Sequence, residues 1–209
     1  MAEAEVDSGS GHGTRQRIID SAREEFARFG LDGARVDRIA ERAAVNKAML
    51  YYHFQSKENL YAEVMKDFFA IISGRISKHF AGAESIEQAL AGLTGIHADI
   101  VVEFPHLRPI MLRELADPHG EILDWFAQTM SNSGFTKAAG DCMKMQLADG
   151  QFRKVDLRQA LISFVTMSLG YHLMSPLMDR VWNITDRESF IEERKKAVVD
   201  LFLYGVKAR

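Results

Sequence analysis

The sequence holds a single cysteine among its 209 residues. That excludes a disulfide framework and any zinc site built on cysteine thiolates. It also fits a reducing compartment, which points to the cytoplasm. Proline is nearly as scarce: all 4 lie beyond residue 100, so the first half is free to be helical. There is no excess of positive charge. The net charge is −3, and any nucleic-acid binding must come from a local basic face. No apolar run reaches the ~20 residues of a membrane span, and no membrane association is expected. The opening MAEAEVDSGSGHG lacks the apolar core of a secretory signal. No Gly-rich phosphate loop, G-x-S-x-G elbow or H-E-x-x-H motif is present. Glu24-Glu25 and Glu192-Glu193 are adjacent pairs that point to different helix sides. They read as solvated positions, not as an acid/base pair. His97 and Glu103 are at neither i, i+3 nor i, i+4 spacing, so no metal pair is evident. No cofactor and no catalysis are expected, and an orphan helical enzyme is the remote alternative.

What is present has the composition of a globular chain. Hydrophobic residues make up 47% and charged residues 26%, enough to build a core. Residues 1–12 read as a disordered tail. Beyond it the apolar spacing is helical throughout. Ile18, Ala22, Phe26 and Phe29 form one stripe, which Gly30 stops. Val36, Ile39, Ala40 and Ala43 form a short second one, and a third short helix ends near Phe54. Ser56 caps a long fourth helix carrying Leu60, Val64, Phe68, Ile72 and Phe80. Further helices are expected over 85–103, between Pro105 and Pro118, over 121–148 with a weak point at 131–134, from Asp156 to Met174, and from Asp186 onward. Pro176 is expected to end or kink the helix before it. The pattern gives nine or ten helices and no sheet, an all-α chain.

The segment from Val36 to Phe54 fits a helix-turn-helix. Ile39, Ala40, Ala43, Val45 and Leu50 supply the small buried seam. The second of its helices offers Lys47, Tyr51, Tyr52 and His53 as donors, with Ala48 and Met49 for apolar contact. The major groove of B-DNA admits one helix, and its base edges are read by such groups. Local charge agrees: from Ala34 to Lys57 five cations (Arg35, Arg38, Arg42, Lys47, Lys57) face two anions (Asp37, Glu41). The plainer reading of Tyr51-Tyr52-His53 is a partly buried aromatic surface.

The run TRQRIIDSAREEFARFGLDGARVDRIAERAAVNKAMLYYHFQSKENLY, from Thr14 to Tyr61, resembles the N-terminal domain of the TetR family of bacterial transcription regulators. Ile18, Ala22, Phe26, Gly30, Val36, Ile39, Ala40, Val45, Leu50, Tyr51, Phe54, Lys57 and Leu60 stand at family spacing. The resemblance implies an all-helical homodimer. A three-helix DNA-binding head (13–60) would precede a larger ligand-binding and dimerisation domain (61–209). It implies double-stranded operator DNA as partner, and release by a small-molecule effector. Carried over by position, Lys47, Ala48, Met49 and Tyr52 would face bases. Arg35, Tyr51, His53 and Lys57 would lie nearer the backbone. Three positions depart from the family pattern. Arg35 replaces the usual Ser or Thr cap and cannot accept an N–H. Ala44 replaces the turn glycine, and Asn46 replaces the Ser or Thr of the turn.

Beyond residue 61 the resemblance covers layout only. The last two long helices are expected to pair with those of a second subunit, the alternative being core helices of a monomer. An effector pocket is expected among the middle helices, lined from Phe69, Ile72, Ile76, His97, Val101, Phe104, Met111, Trp125, Phe126, Phe164 and Met167. The alternative for each is ordinary core. A closed, Phe-filled body would favour control by a protein partner or without a ligand, and an open cavity with convergent polar groups would favour an effector. Cys142, alone in an expected helix, reads as a structural thiol.

Overall fold

The computed structural model describes residues 8–116, 121–132 and 155–206, and nine helices lie within them. They are α1 (Ser8–Gly33), α2 (Val36–Arg42), α3 (Lys47–Phe54), α4 (Lys57–Gly82), α5 (Ile86–Glu103), α6 (Leu107–Ala116), α7 (Glu121–Asn132), α8 (Leu157–Val181) and α9 (Arg187–Val206). No strand occurs among the described residues. Side-chain caps hold the helix starts, at Ser56 and Asp186 as expected and also at Ser85 and Asp156. Asn46, Ser56, Ser85, Asp156 and Asp186 each accept a backbone N–H two or three residues ahead. Helix α1 begins at Ser8, so it runs through residues whose composition suggests a tail. Of the weak point expected at 131–134, residues 133–134 lie outside the described residues, as does Cys142.

The described chain forms two compact units. One contains the residues up to Phe69 together with 106–124, and the other 70–105 with 125–206. The first unit is built on Ile18, Ile19, Ala22 and Phe26 of α1, which are buried with Ile39 and Ala40 of α2, Leu50 of α3 and Leu60, Val64 and Met65 of α4. Phe26 meets Tyr61 edge-on at 4.8 Å. Phe29, expected on the same buried stripe, is 40% exposed. It lies under the Arg38 guanidinium, 4.2 Å from its ring centroid. Cation–π stacking replaces burial there.

Helix α1 breaks at Gly30, where φ is 68°. The positive φ suits glycine. The missing side chain also lets Arg113 of α6 pass close by, since a Cβ would lie 3.3 Å from its Cδ. Arg113 donates to the carbonyls of Ala27 (2.7 Å), Arg28 (3.1 Å) and Phe26 (3.3 Å). These are the carbonyls a helix leaves unpaired at its C-terminal end, where a cation is also favoured. Tyr61 donates to Glu114 in the same unit. Burial and that carboxylate push the Tyr61 phenol well above its ordinary value.

The second unit has a core of Ile76, Phe80, Ile86, Leu90, Leu93, Phe164, Val198 and Phe202. Phe164 and Phe202 meet edge-on at 5.1 Å. Gly92 of α5 lies under the His79 ring, where an added Cβ would fall 1.9 Å from Cε1. Helix α8 continues through Pro176 to Val181, so of the two outcomes expected there, an end or a kink, the end does not occur. Proline lacks the N–H that would reach the carbonyl of His172. The Ser175 hydroxyl donates to that carbonyl at 3.3 Å instead.

Among the described residues one stretch, Arg158–Val181, has the length and composition of a membrane-crossing helix, with a mean hydropathy of 1.3 over its most apolar window. Counting uninterrupted apolar residues misses it, because serines, a threonine and a histidine are interspersed. Two of those polar side chains are engaged within the unit: Ser168 Oγ lies 2.8 Å from His97 Nδ1, and Ser175 Oγ accepts from Arg187 at 2.8 Å. Packing against α5 and α9 suits the interior of a helical body.

Candidate nucleic-acid interface

Helix α3 has one buried edge and one open face. Leu50 and Phe54 are buried, whereas Lys47, Ala48, Met49, Tyr51 and Tyr52 are exposed, Tyr52 at 80%. The helix starts where it does because the Asn46 carboxamide accepts from Met49 N–H at 2.7 Å. It stops at Gln55, whose φ of 65° is held by a Ser56 N–H to Phe54 carbonyl bond of 2.7 Å. This is a strained γ-turn, and it brings α4 in directly behind α3. His53 is half-buried, its ring edge-on to Tyr52 at 5.3 Å. The helix thus offers a solvent-facing row of donors and methyl-bearing side chains at groove-reading dimensions.

Beside it lies an open concavity of about 570 Å³. Arg35, Asp37, Lys47, Tyr51, Lys57 and Glu58 are among its lining residues. The starts of α2 and α4 both border it, and the positive ends of their dipoles favour an anion there. Glu58 reports that field: its own backbone N–H, and then the Ser56 hydroxyl, hold its carboxyl below the ordinary range. Lys47 is held by Asp37, with Nζ 2.9 Å from Oδ1. That hydrogen bond raises the Lys47 ammonium above its ordinary value. Lys57 donates to the Asp32 carbonyl at 3.3 Å. Arg38 and Arg42 pair with Glu25 and Glu24 of α1. Their charge, counted in the basic balance from sequence, is spent inside the head.

A structure built this way matches the chain's relatives. The family described as bacterial regulatory proteins, tetR family, matches residues 18–64. The HTH-type transcriptional repressor KstR2 of Mycolicibacterium smegmatis is 28% identical over 139 residues, 66% of this chain and 67% of that protein. The repressor NicS of Pseudomonas putida is 32% identical over 101 residues, so the match spans about half of each, 48%. The head, residues 18–64, is of the TetR family. Among solved structures, the regulator FadR of Bacillus subtilis in complex with stearoyl-CoA aligns with a TM-score of 0.69 at 19% identity. It covers 91% of this chain and 98% of that one, a likeness of fold.

The departures from the TetR pattern have structural answers. Arg35 makes no side-chain cap, as its chemistry requires. The cap comes instead from α1: Glu25 Oε1 accepts the Arg35 N–H at 3.0 Å and Arg38 Nε at 2.7 Å. Glu25 is only 1% exposed, which corrects its reading as a solvated position. Sequence reasoning did not assign it a role. The signal was the non-capping Arg35 itself, which forces the cap to come from elsewhere. Ala44 has a φ of 53°, the left-handed value that glycine usually supplies. Replacing it with glycine, Ala44→Gly, is expected to raise the stability of the head by about 1 kcal/mol. A urea-melt midpoint moving upward would show it, and an unchanged or lower midpoint would mean the turn is unstrained.

The residues expected to line an effector pocket separate. Phe69 and Met111 fall in the first unit. Ile72, Ile76, His97, Val101, Phe104, Trp125, Phe126, Phe164 and Met167 fall in the second. Of these, Ile76 and Phe164 are buried in its core, with Ile72 and Met167 packed against it. His97 is buried and bonded to Ser168. Phe104 lies 5.9 Å from the Arg75 guanidinium. A concavity of about 780 Å³ in the second unit is bordered by Tyr171, Met174 and Met178 of α8, Phe190 of α9 and residues 182–186 between them.

Proposed function

We propose that the chain is a cytoplasmic transcriptional repressor that binds a palindromic operator as a homodimer and is released by a small apolar or amphipathic molecule. The observation that carries this reading is α3, with Leu50 and Phe54 buried and Lys47, Ala48, Met49, Tyr51 and Tyr52 open. Lys47, Ala48, Met49 and Tyr52 would meet base edges, and Arg35, Tyr51, His53 and Lys57 would meet phosphates. The dimer would form through α8 and α9. Ile162, Met174, Leu177 and Val181 of α8 and Leu201 and Tyr204 of α9 are large apolar side chains left exposed in the single chain. Two-fold symmetry then sets half-sites about 34–36 Å apart or a multiple. Helix α4 supplies Lys57 to the concavity and Ile76 and Phe80 to the body's core, so it belongs to both units. An effector that tilts it would weaken operator binding, and operator would weaken effector binding by the same factor. The packed core around Ile76 and Phe164 favours, as a second reading, a regulator controlled by a protein partner or without a ligand.

The test is selection of bound fragments from random DNA, repeated at two salt concentrations. The wild type is expected to enrich a palindrome. A Lys47→Ala/Tyr52→Ala variant is expected to bind it at least ~100-fold more weakly, two lost groove contacts per half-site. The selected palindrome is then the probe for an effector screen, in which a molecule that leaves operator affinity unchanged is no effector. Binding that is only weak, unspecific and steeply salt-dependent would sink the proposal.

A further inference from the structure

We infer that Asp37 is a specificity-determining residue of the head, fixing the Lys47 ammonium in one position so that it reads a base edge and does not seek phosphates. The inference rests on the DNA-binding reading above. Lys47 opens α3 and Asp37 lies in the first turn of α2, so the 2.9 Å pair spans the two helices of the motif. Both partners are open to solvent, at 51% and 74% exposure, so burial does not account for the pair. Both also border the concavity that holds Arg35, Tyr51 and Lys57, where a DNA strand would pass. A carboxylate is an unexpected lining group for a phosphate path, since it repels the strand.

Its consequence is electrical. A lysine held by a carboxylate adds no net charge and releases no counterion from unrelated DNA. Two of its three N–H donors remain, now aimed from a fixed point. Acceptor pairs such as guanine O6 and N7 suit a lysine so placed. Asp37 thereby suppresses binding to sequences that offer only phosphates, and discrimination comes as much from that penalty as from attraction to the operator.

The experiment measures affinity of the full chain for its selected operator and for an unrelated duplex of equal length, over a range of salt. Asp37→Asn is expected to raise affinity for the unrelated duplex about tenfold, and to steepen the salt slope by about 0.9 for each lysine freed to take a phosphate. Affinity for the operator is expected to rise by less, so the ratio of the two falls. Asp37→Glu, which restores the carboxylate, is expected to restore the ratio. In a Lys47→Met background, Asp37→Asn is expected to leave the ratio where Lys47→Met has put it. A ratio unchanged by Asp37→Asn, or lowered equally with and without Lys47, would overturn the inference while leaving DNA binding intact. If the wild type shows no preference for any sequence, the DNA-binding reading fails first and the inference fails with it.

Discussion

Lowering the pH from 6.5 to 4 is expected to destabilise the second unit by about 3 kcal/mol for each of two histidines, His97 and His172. Both are buried. Burial, and then the neighbouring His172, push the His97 imidazolium down to about 4. Burial, and then Arg187 and Arg194, push His172 down to about 4 as well. Above pH 6.5 the rings are neutral in folded and unfolded chain alike, and the shift has no effect. As the pH falls below that, the unfolded chain takes up protons that the folded chain refuses, so stability is lost until the folded value near 4 is reached. The side chain of His172 makes the reason concrete. Its Nδ1 is buried with no hydrogen-bond partner among the described residues. It also adjoins Arg194 and Lys195 around a very small cavity. A proton there would add a third positive charge. Urea melts at pH 7 and pH 4.5 measure the loss. A His97→Asn/His172→Gln variant should show a flatter dependence, and an equal slope in the variant would assign the acid sensitivity to the carboxylates.

The second large effect concerns the pair beneath the head. Arg38→Met is expected to cost about 3 kcal/mol or more, because it leaves a buried charge uncompensated. The pair is lopsided: Glu25 is 1% exposed and Arg38 38%. Glu25 Oε1 takes both Arg38 contacts and the Arg35 N–H, while its Oε2 is buried with no hydrogen-bond partner among the described residues. Removing the arginine strands the carboxylate in the interior. Removing the charge by Glu25→Gln leaves the arginine half in water and keeps an acceptor for Arg35, so the expected cost is smaller, about 1–2 kcal/mol. The double variant should be more stable than Arg38→Met alone. Urea melts of the three variants test this order. If Glu25→Gln proved the costlier change, the guanidinium and not the carboxylate would be the group that needs its partner.

What the sequence determined by itself was local. Helix positions followed from apolar spacing and from caps such as Ser56 and Asp186, because a cap acts on N–H groups two or three residues away. The face of α3 was legible for the same reason: Leu50 and Phe54 stand four apart and go inward together, so Lys47, Ala48, Tyr51 and Tyr52 turn outward. The strain at Ala44 could be anticipated from a single missing glycine. The tertiary structure decided everything that depends on a distant partner. No spacing rule ties Arg113 to the carbonyls of Phe26, Ala27 and Arg28, or sends Glu25 inward to cap α2 in place of Arg35. Pro176 reads as an end or a kink, and only the structure shows α8 running on to Val181 with the Ser175 hydroxyl on the carbonyl that proline leaves unpaired. The basic balance of the head was a sum over residues, whereas its field depends on which cations already face a carboxylate. Asp37 on Lys47 and Glu25 on Arg38 settle that in space, where sequence distance carries no information.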